Sequence, residues 1–161
     1  TLFPYTTLFR SKVGDCRFMS KFHERLAGLI IESETSVQEL SEKYGFSLSA
    51  LYKWLRGVCY PSFDNLVLLA DNFGCSADYL LGLKDDEVEY TANEQRQPFD
   101  VLFSDLLKEK NVSEYRLVKQ TGLARSKVDE WRKATSLPSV ESLVLVAKFF
   151  DVTVDRLVGR E

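Results

Sequence analysis

The chain has 161 residues, of which 45% are hydrophobic and 28% are charged, and its formal net charge is −3. This composition is typical of a folded globular protein, and the acidic balance argues against a protein that coats nucleic acid nonspecifically. No apolar stretch approaches the 18 residues of a membrane span, so we predict no membrane partner. Cys59 and Cys75 lack the CxxC spacing of a metal or redox site, which favours a reducing, cytoplasmic location.

The first residues do not resemble the rest of the chain. Residues 1–11 read TLFPYTTLFRS and resemble the translation of a sequencing adapter, and the single methionine of the sequence is at position 19. We therefore expect residues 1–18 to be a non-native leader and the natural sequence to begin at Met19.

The remainder of the sequence is an internal repeat. Residues 22–82 and 99–159 align without a gap at an offset of 77, and 18 of these 61 positions are identical. The densest similarity lies between PSFDNLVLLADNFGCSADYLLG, from Pro61, and PSVESLVLVAKFFDVTVDRLVG, from Pro138. This period suits a small domain rather than a solenoid unit, so we predict two domains, at 19–83 and 99–161.

Each repeat is predicted to form five short helices and no strand. In the first repeat, turn and capping residues place the helix starts at Ser20, Ser36, Ser47, Ser62 and Ser76. Glu39 completes a capping box with Ser36, and Gly45 ends the second helix. The corresponding helices of the second repeat are predicted at about 98–110, 113–121, 124–133, 139–150 and 153–158. The fold class is therefore all-α.

Positions that are apolar in both repeats predict the core. They are Leu29/Leu106, Leu40/Leu117, Leu51/Val128, Leu66/Leu143, Ala70/Ala147, Phe73/Phe150 and Leu80/Leu157. Trp54/Trp131 joins them, because it follows Leu51/Val128 by three residues on one helix; base stacking is the alternative role. His23 has no second metal ligand near it and is predicted to be a solvated helix residue.

Charge is distributed unevenly along the chain. Residues 20–83 carry a net −3, residues 84–98 another −3, and residues 97–161 a net +1. The segment 84–98 is polar and lacks helical periodicity, which predicts an acidic linker whose full reach is about 50 Å.

The second and third helices of each repeat, with a glycine in the turn between them, form a helix-turn-helix. These units read SVQELSEKYGFSLSALYKWLRG and SEYRLVKQTGLARSKVDEWRKA. Both repeats resemble the phage-repressor (Cro-like, XRE-type) helix-turn-helix family of bacterial transcription regulators. The resemblance rests on the following residues: Leu40-Ser41, Leu117-Val118, Gly45, Gly122, Ser47, Gly57, Pro61-Ser62 and the ending SADYLLG. It implies two tandem five-helix lambda-repressor-like DNA-binding domains.

In that family the N-terminal half of the third helix meets base edges in the major groove of DNA. Carried over to the first repeat, the resemblance implies DNA contacts by Ser47, Leu48, Ser49, Ala50, Tyr52, Lys53 and Arg56. In the second repeat it implies Ala124, Arg125, Ser126, Lys127, Asp129 and Glu130, with Arg132 and Lys133 behind them. Lys53, Arg125 and Lys127 suit phosphates and guanine edges, whereas Leu48, Ala50 and Tyr52 suit methyl contacts.

Two departures from the family pattern concern charge. Val37 and Glu114 stand where the family favours a phosphate-binding Gln. The family's ion pair between the first and third helices is replaced by Ile30 with Leu55 and by Leu107 with Arg132. Glu114, Asp129 and Glu130 are expected to repel phosphates unless they face away from DNA or read cytosine amines.

The sequence thus predicts a sequence-specific, double-stranded-DNA-binding transcription regulator. The alternative is a protein–protein interaction or dimerisation module in which one or both repeats no longer contact DNA. A homodimer and a pseudo-dimer formed by the tandem domains both remain open. No enzyme, cofactor, metal or small-molecule ligand is expected, because no nucleophile–base pair, phosphate-binding glycine loop or metal constellation occurs.

Overall fold

Two compact all-helical units make up the part of the chain that the structure describes. The computed structural model describes residues 16–86, 90–91 and 95–161, with side chains from residue 21 onward, and these ranges contain ten helices and no strand. Residues up to 91 form the first unit and residues from 95 form the second. The first unit contains α1 Cys16–Glu32, α2 Val37–Tyr44, α3 Leu48–Leu55, α4 Phe63–Phe73 and α5 Ala77–Leu80. The second contains α6 Phe99–Glu109, α7 Glu114–Thr121, α8 Arg125–Arg132, α9 Val140–Phe150 and α10 Val154–Leu157.

The start of α1 differs from the prediction. The helix begins at Cys16 rather than at Ser20, because no Gly or Pro interrupts residues 16–20 and the helix continues back through them. The prediction of a non-native leader at 1–18 falls mostly outside the described residues, which begin at 16.

Capping interactions confirm most of the other predicted helix starts. The Ser36 hydroxyl accepts from the Glu39 amide while the Glu39 carboxylate accepts from the Ser36 amide, which is the predicted capping box. This bonding also lowers the pKa of Glu39, first through the backbone of Ser36. Gly45 follows α2 with a φ of 71°, a left-handed conformation that glycine adopts without steric cost.

The two tryptophans that were predicted to be core residues lie in the cores of their units. Trp54 is 3% exposed and Trp131 is 2% exposed. The Trp54 ring packs edge-on against Phe46 at 5.4 Å between centroids, and Trp131 packs edge-on against Phe103 at 6.0 Å. Burial of the indoles confirms their prediction as core residues.

One predicted core position is wrong. Phe150 is buried, but its counterpart Phe73 is only half-buried. In the second unit, Phe149 covers Phe150 edge-on at 4.8 Å. The corresponding neighbour of Phe73 is Asn72, whose amide oxygen accepts from the Tyr44 hydroxyl at 2.6 Å. Phe73 therefore lacks the second aromatic ring that covers Phe150.

Both ends of the predicted linker contact the units. Arg25 of α1 donates to the Lys84 carbonyl at 2.7 Å and to the Asp85 carboxylate at 2.7 Å, and the Tyr90 amide donates to the Gly74 carbonyl. At the other end, the Gln97 carbonyl lies 3.0 Å from where a β-carbon on Gly159 would be.

These contacts leave residues 91–95 between the two units. The extended span of this connection is about 20 Å, instead of about 50 Å for 84–98. Contacts with Arg25 and Gly74 hold residues 84, 85 and 90 on the first unit.

A buried ion pair closes the second unit. The guanidinium of Arg160 donates to the Asp155 carboxylate, and both side chains are almost completely buried. The corresponding positions of the first unit are Leu83 and Asp78, so the pair belongs to the second unit alone. Removing one partner would leave the other charge in a poorly solvated site.

None of the helices in the described ranges is long and apolar enough to cross a membrane.

We predict that Arg160→Ala lowers the free energy of unfolding of the second unit by about 3–5 kcal/mol, because the Asp155 charge loses its buried partner. Arg156→Ala is the matched control, since Arg156 pairs with Glu109 at the solvent-exposed surface and should cost about 1 kcal/mol or less. Urea unfolding followed by circular dichroism measures both. Equal losses in the two variants would contradict a structural role for the buried pair.

Candidate nucleic-acid interface

The α2–α3 and α7–α8 pairs form the two predicted helix-turn-helix units. Gly45 and Gly122 begin the turns with φ of 71° and 73°, and their amides donate to the carbonyls of Ser41 and Val118. Leu51 and Trp54 of α3 face the core, as Val128 and Trp131 of α8 do. Most of the remaining residues of α3 and α8 are exposed, whereas Ala50, Leu55 and Glu130 are half-buried.

The N-terminal half of α3 presents a largely apolar face. The hydroxyl of Ser47 caps the helix by accepting from the Ala50 amide at 3.1 Å. Leu48 is 41% exposed and Tyr52 is 48% exposed, and they lie one turn apart on one side of the helix. Ser49 is exposed and Ala50 is half-buried.

Two cations lie in the C-terminal part of this unit's third helix. Lys53 is exposed, and Arg56 is exposed with its Nε donating to the Tyr52 carbonyl at 3.2 Å. Neither side chain is paired with a carboxylate among the contacts of the described residues. Both are available to an anionic partner such as a phosphate.

The surface of α8 is charged where that of α3 is apolar. Ala124 is the N-cap residue but provides no side-chain cap. Arg125, Ser126 and Lys127 follow it and are exposed. At the offset of 77 these three residues replace Leu48, Ser49 and Ala50.

Three carboxylates around α8 each hold a cation. The Lys127 ammonium lies 3.1 Å from the Glu130 carboxylate, and the Lys133 ammonium lies 2.7 Å from the Asp129 carboxylate. The Arg132 guanidinium donates to Glu114 of α7. Three of the four cations on and next to α8 that were predicted to contact DNA, Lys127, Arg132 and Lys133, therefore have their charge offset within the protein.

The protonation equilibria reflect these contacts. The Ser136 hydroxyl donates to Glu130 at 2.8 Å, and this bond, followed by that of Lys127, lowers the pKa of Glu130. The bond from Lys133 lowers the pKa of Asp129. Hydrogen bonding to Glu114 raises the pKa of Arg132.

Arg125 differs from the other cations of α8. Its guanidinium forms no hydrogen bond or ion pair with a described residue, although its charge contributes to lowering the pKa of Asp129. It is the first residue of the helix and points into solvent. Arg125 is thus the cation of α8 most available to an external ligand.

Sequence reasoning treated the acidic residues of this region incompletely. Glu114, Asp129 and Glu130 are predicted to repel phosphates unless they face away from DNA or read cytosine amines, and each has a cationic partner that offsets its charge. Spacings of three and four residues could have identified the Lys127–Glu130 and Asp129–Lys133 pairs. The Glu114–Arg132 pair spans 18 residues and two helices, and no local pattern marks it.

Other kinds of site find no support within residues 16–86, 90–91 and 95–161. No group of three or more His, Cys, Asp and Glu side chains there could hold a metal ion. The Cys59 side chain is half-buried and the Cys75 side chain is buried. His23, predicted to be a solvated residue of the first helix, lies in α1 and is half-buried, with its ring close to Gly57.

Comparisons with known proteins address each unit separately. Residues 29–80 match a helix-turn-helix family model, and residues 103–161 match the model of the Cro/C1-type HTH DNA-binding domain. A curated relative, the HTH-type transcriptional activator BcrR of Enterococcus faecalis, is 35% identical over 52 residues. That alignment covers 32% of this chain and 26% of the relative, so the chain spans about a quarter of that protein's length. No solved structure matches the chain significantly.

We predict that Glu130 contributes stability that depends on pH. Its pKa is lower in the folded state than in the unfolded chain. The contribution is therefore complete above the usual carboxyl range, about pH 4–5, and is lost as the pH falls through the folded-state value. Glu130→Gln should melt below wild type at pH 7, and the gap should narrow at lower pH. Ser136→Ala removes the main cause of the lowered pKa, so it should reduce the size of the pH-dependent loss and raise the pH at which the loss is complete. A constant gap between Glu130→Gln and wild type from pH 7 to pH 3 would contradict this role.

Proposed function

The chain belongs to the helix-turn-helix proteins of the Cro/C1 type, with two such domains in tandem, and we propose that it is a transcription regulator that reads double-stranded DNA with α3 and α8. The observation that carries this proposal is the orientation of the third helix in each unit. Its tryptophan and the preceding aliphatic residue are buried, so its N-terminal half projects away from the core. A helix in this setting fits the width of the DNA major groove.

Charge on the third helices supports a DNA partner despite the acidic chain. Lys53 and Arg56 on the first unit and Arg125 on the second have no carboxylate partner among the described contacts. Such cations suit phosphates and guanine edges. Lys127, Arg132 and Lys133 can exchange their carboxylate partners for phosphates when DNA is present, at the cost of breaking exposed ion pairs that contribute about 0–1 kcal/mol each.

The tandem arrangement is proposed to act as a pseudo-dimer. Each unit has its own buried core, and we propose that each folds independently. Binding of one unit to DNA keeps the other unit near the same DNA, because only residues 91–95 separate the segments of chain that are held on the two units. Effective concentrations for short linkers reach the millimolar range, so a weak unit can still raise the total affinity. Such a regulator would act in the cytoplasm, where bacterial DNA lies.

The alternative function is protein binding by the first unit. Its third helix and the turn after it expose Leu48, Tyr52 and Val58, the last of which is 62% exposed, and residues 20–83 carry a net −3. An acidic unit with an apolar face could bind another protein while the second unit binds DNA. If the first unit binds DNA, Lys53→Ala should reduce the salt dependence of DNA binding by the full chain; if the first unit binds protein instead, this variant should bind DNA as the wild type does.

We predict that the second unit supplies most of the DNA affinity. Arg125→Ala combined with Lys127→Ala should cost about 2–4 kcal/mol of binding free energy. Arg125 should account for most of this loss, because Lys127 is already paired with Glu130. Lys53→Ala should cost about 1 kcal/mol or less, mainly as phosphate attraction. Gel retardation of genomic DNA fragments by the full chain, at low and high salt, measures these effects.

Lys108→Ala is the control for that experiment, because it removes one exposed cation from α6, outside the third helices. It should leave the affinity nearly unchanged. A larger loss for Lys53→Ala than for the double variant would reverse the roles of the two units. No salt-sensitive retardation by the wild-type chain would leave the protein-binding alternative.

A further inference from the structure

Equivalent positions on the two third helices carry different chemistry. Leu48 of α3 corresponds to Arg125 of α8, and Tyr52 corresponds to Asp129. All four side chains are exposed, and in each helix the two positions are one turn apart on one side. Trp54 and Trp131, at equivalent positions, are both buried and orient the two helices in the same way. The four side chains therefore occupy equivalent places on the two units.

The face of α3 offers apolar contact and few hydrogen bonds. Leu48 presents methyl groups and Tyr52 presents an aromatic ring that ends in one hydroxyl, and the Ser47 hydroxyl is already used to cap the helix. In the major groove, the thymine C5-methyl is the base substituent that an apolar side chain recognises. The chemistry of this face thus matches thymine.

The face of α8 offers one available guanidinium. Lys127, Arg132 and Lys133 each hold a carboxylate, whereas Arg125 has no hydrogen-bond or ion-pair partner among the described residues. A planar guanidinium can donate to the O6 and N7 of guanine together, which is the commonest specific contact in protein–DNA complexes. Asp129 lies one turn from Arg125 and interacts with its charge, but the Asp129 carboxylate accepts its hydrogen bond from Lys133.

We propose that one chain reads an asymmetric DNA site. The half contacted by α3 selects thymine through Leu48 and Tyr52, and the half contacted by α8 selects guanine through Arg125. The inference rests on the proposed function and adds the identity of the residues that determine specificity. It also fixes the direction of the chain on DNA, because the two halves of such a site cannot be exchanged.

Selection of binding sites from a random duplex library, with the full chain, is the first test. The expected result is a bipartite site without two-fold symmetry, with thymine in one half and guanine in the other. A palindrome of identical half-sites would contradict the proposal that one chain binds an asymmetric DNA site, while leaving DNA binding itself intact. Failure to enrich any sequence would overturn the proposed function, and the inference with it.

Base analogues in the selected duplex then identify the contacts. Deoxyuridine in place of thymine removes only the methyl group and should weaken wild-type binding about three- to fourfold per contacted methyl. 7-Deazaguanine removes the N7 acceptor and should weaken binding about fivefold or more. Leu48→Ala should lose part of the sensitivity to deoxyuridine in the first half, because Tyr52 remains in place. Arg125→Ala should be insensitive to 7-deazaguanine in the second half.

Two control variants keep this test specific. Leu68→Ala alters an α4 leucine that is 38% exposed, close to the 41% of Leu48, and Lys108→Ala removes a cation of α6. Both should retain the wild-type sensitivity to each analogue. If Leu48→Ala and Arg125→Ala also retain the full wild-type sensitivity, these side chains do not read the bases and the inference is wrong.

Discussion

Burial of one tryptophan in each third helix is the constraint on which the two units depend. Trp54 and Trp131 follow Leu51 and Val128 by three residues, and all four side chains lie in the cores. Because an α-helix has 3.6 residues per turn, fixing these positions inside also fixes which residues point outward. The exposed faces of α3 and α8 therefore follow from core packing, and evolution can change their chemistry without altering the fold.

The second and third helices carry different residues at equivalent positions in the two units. Glu114 and Arg132 form an exposed ion pair between α7 and α8, while the corresponding residues of the first unit, Val37 and Leu55, are apolar and half-buried. Exposed ion pairs contribute little stability, so the pair matters more for the charge that α8 presents. The net charge of a whole domain is thus a poor guide to the charge available on its recognition surface.

Much of the fold could be predicted from the sequence, because its signals are local. Serine caps, the Ser36–Glu39 capping box and the glycine that ends α2 each act within one turn of a helix. Comparison of the two repeats predicts most of the core residues, because a position that is apolar in both repeats is usually buried. The start of α1 differs from the prediction because Ser20, a residue typical of an N-cap, lies inside a helix that begins at Cys16.

Features that depend on contacts between distant residues escaped prediction. The half-burial of Phe73 follows from a neighbouring asparagine where the second unit has a phenylalanine. The attachment of residues 84 and 85 depends on Arg25, which is about 60 residues away. At the candidate site, the exposed positions were predictable from helical periodicity, whereas the pairing of Glu114 with Arg132 needed the packing of α7 on α8.

The most direct test of major-groove reading by both third helices is a nuclear magnetic resonance titration of the full chain with its selected duplex. Backbone amide shifts report which residues meet the DNA. The account predicts the largest changes at residues 47–53 and 124–130, with the buried indole N–H groups of Trp54 and Trp131 changing little. Changes concentrated on α1, α4, α6 or α9, with α3 and α8 unaffected, would contradict it.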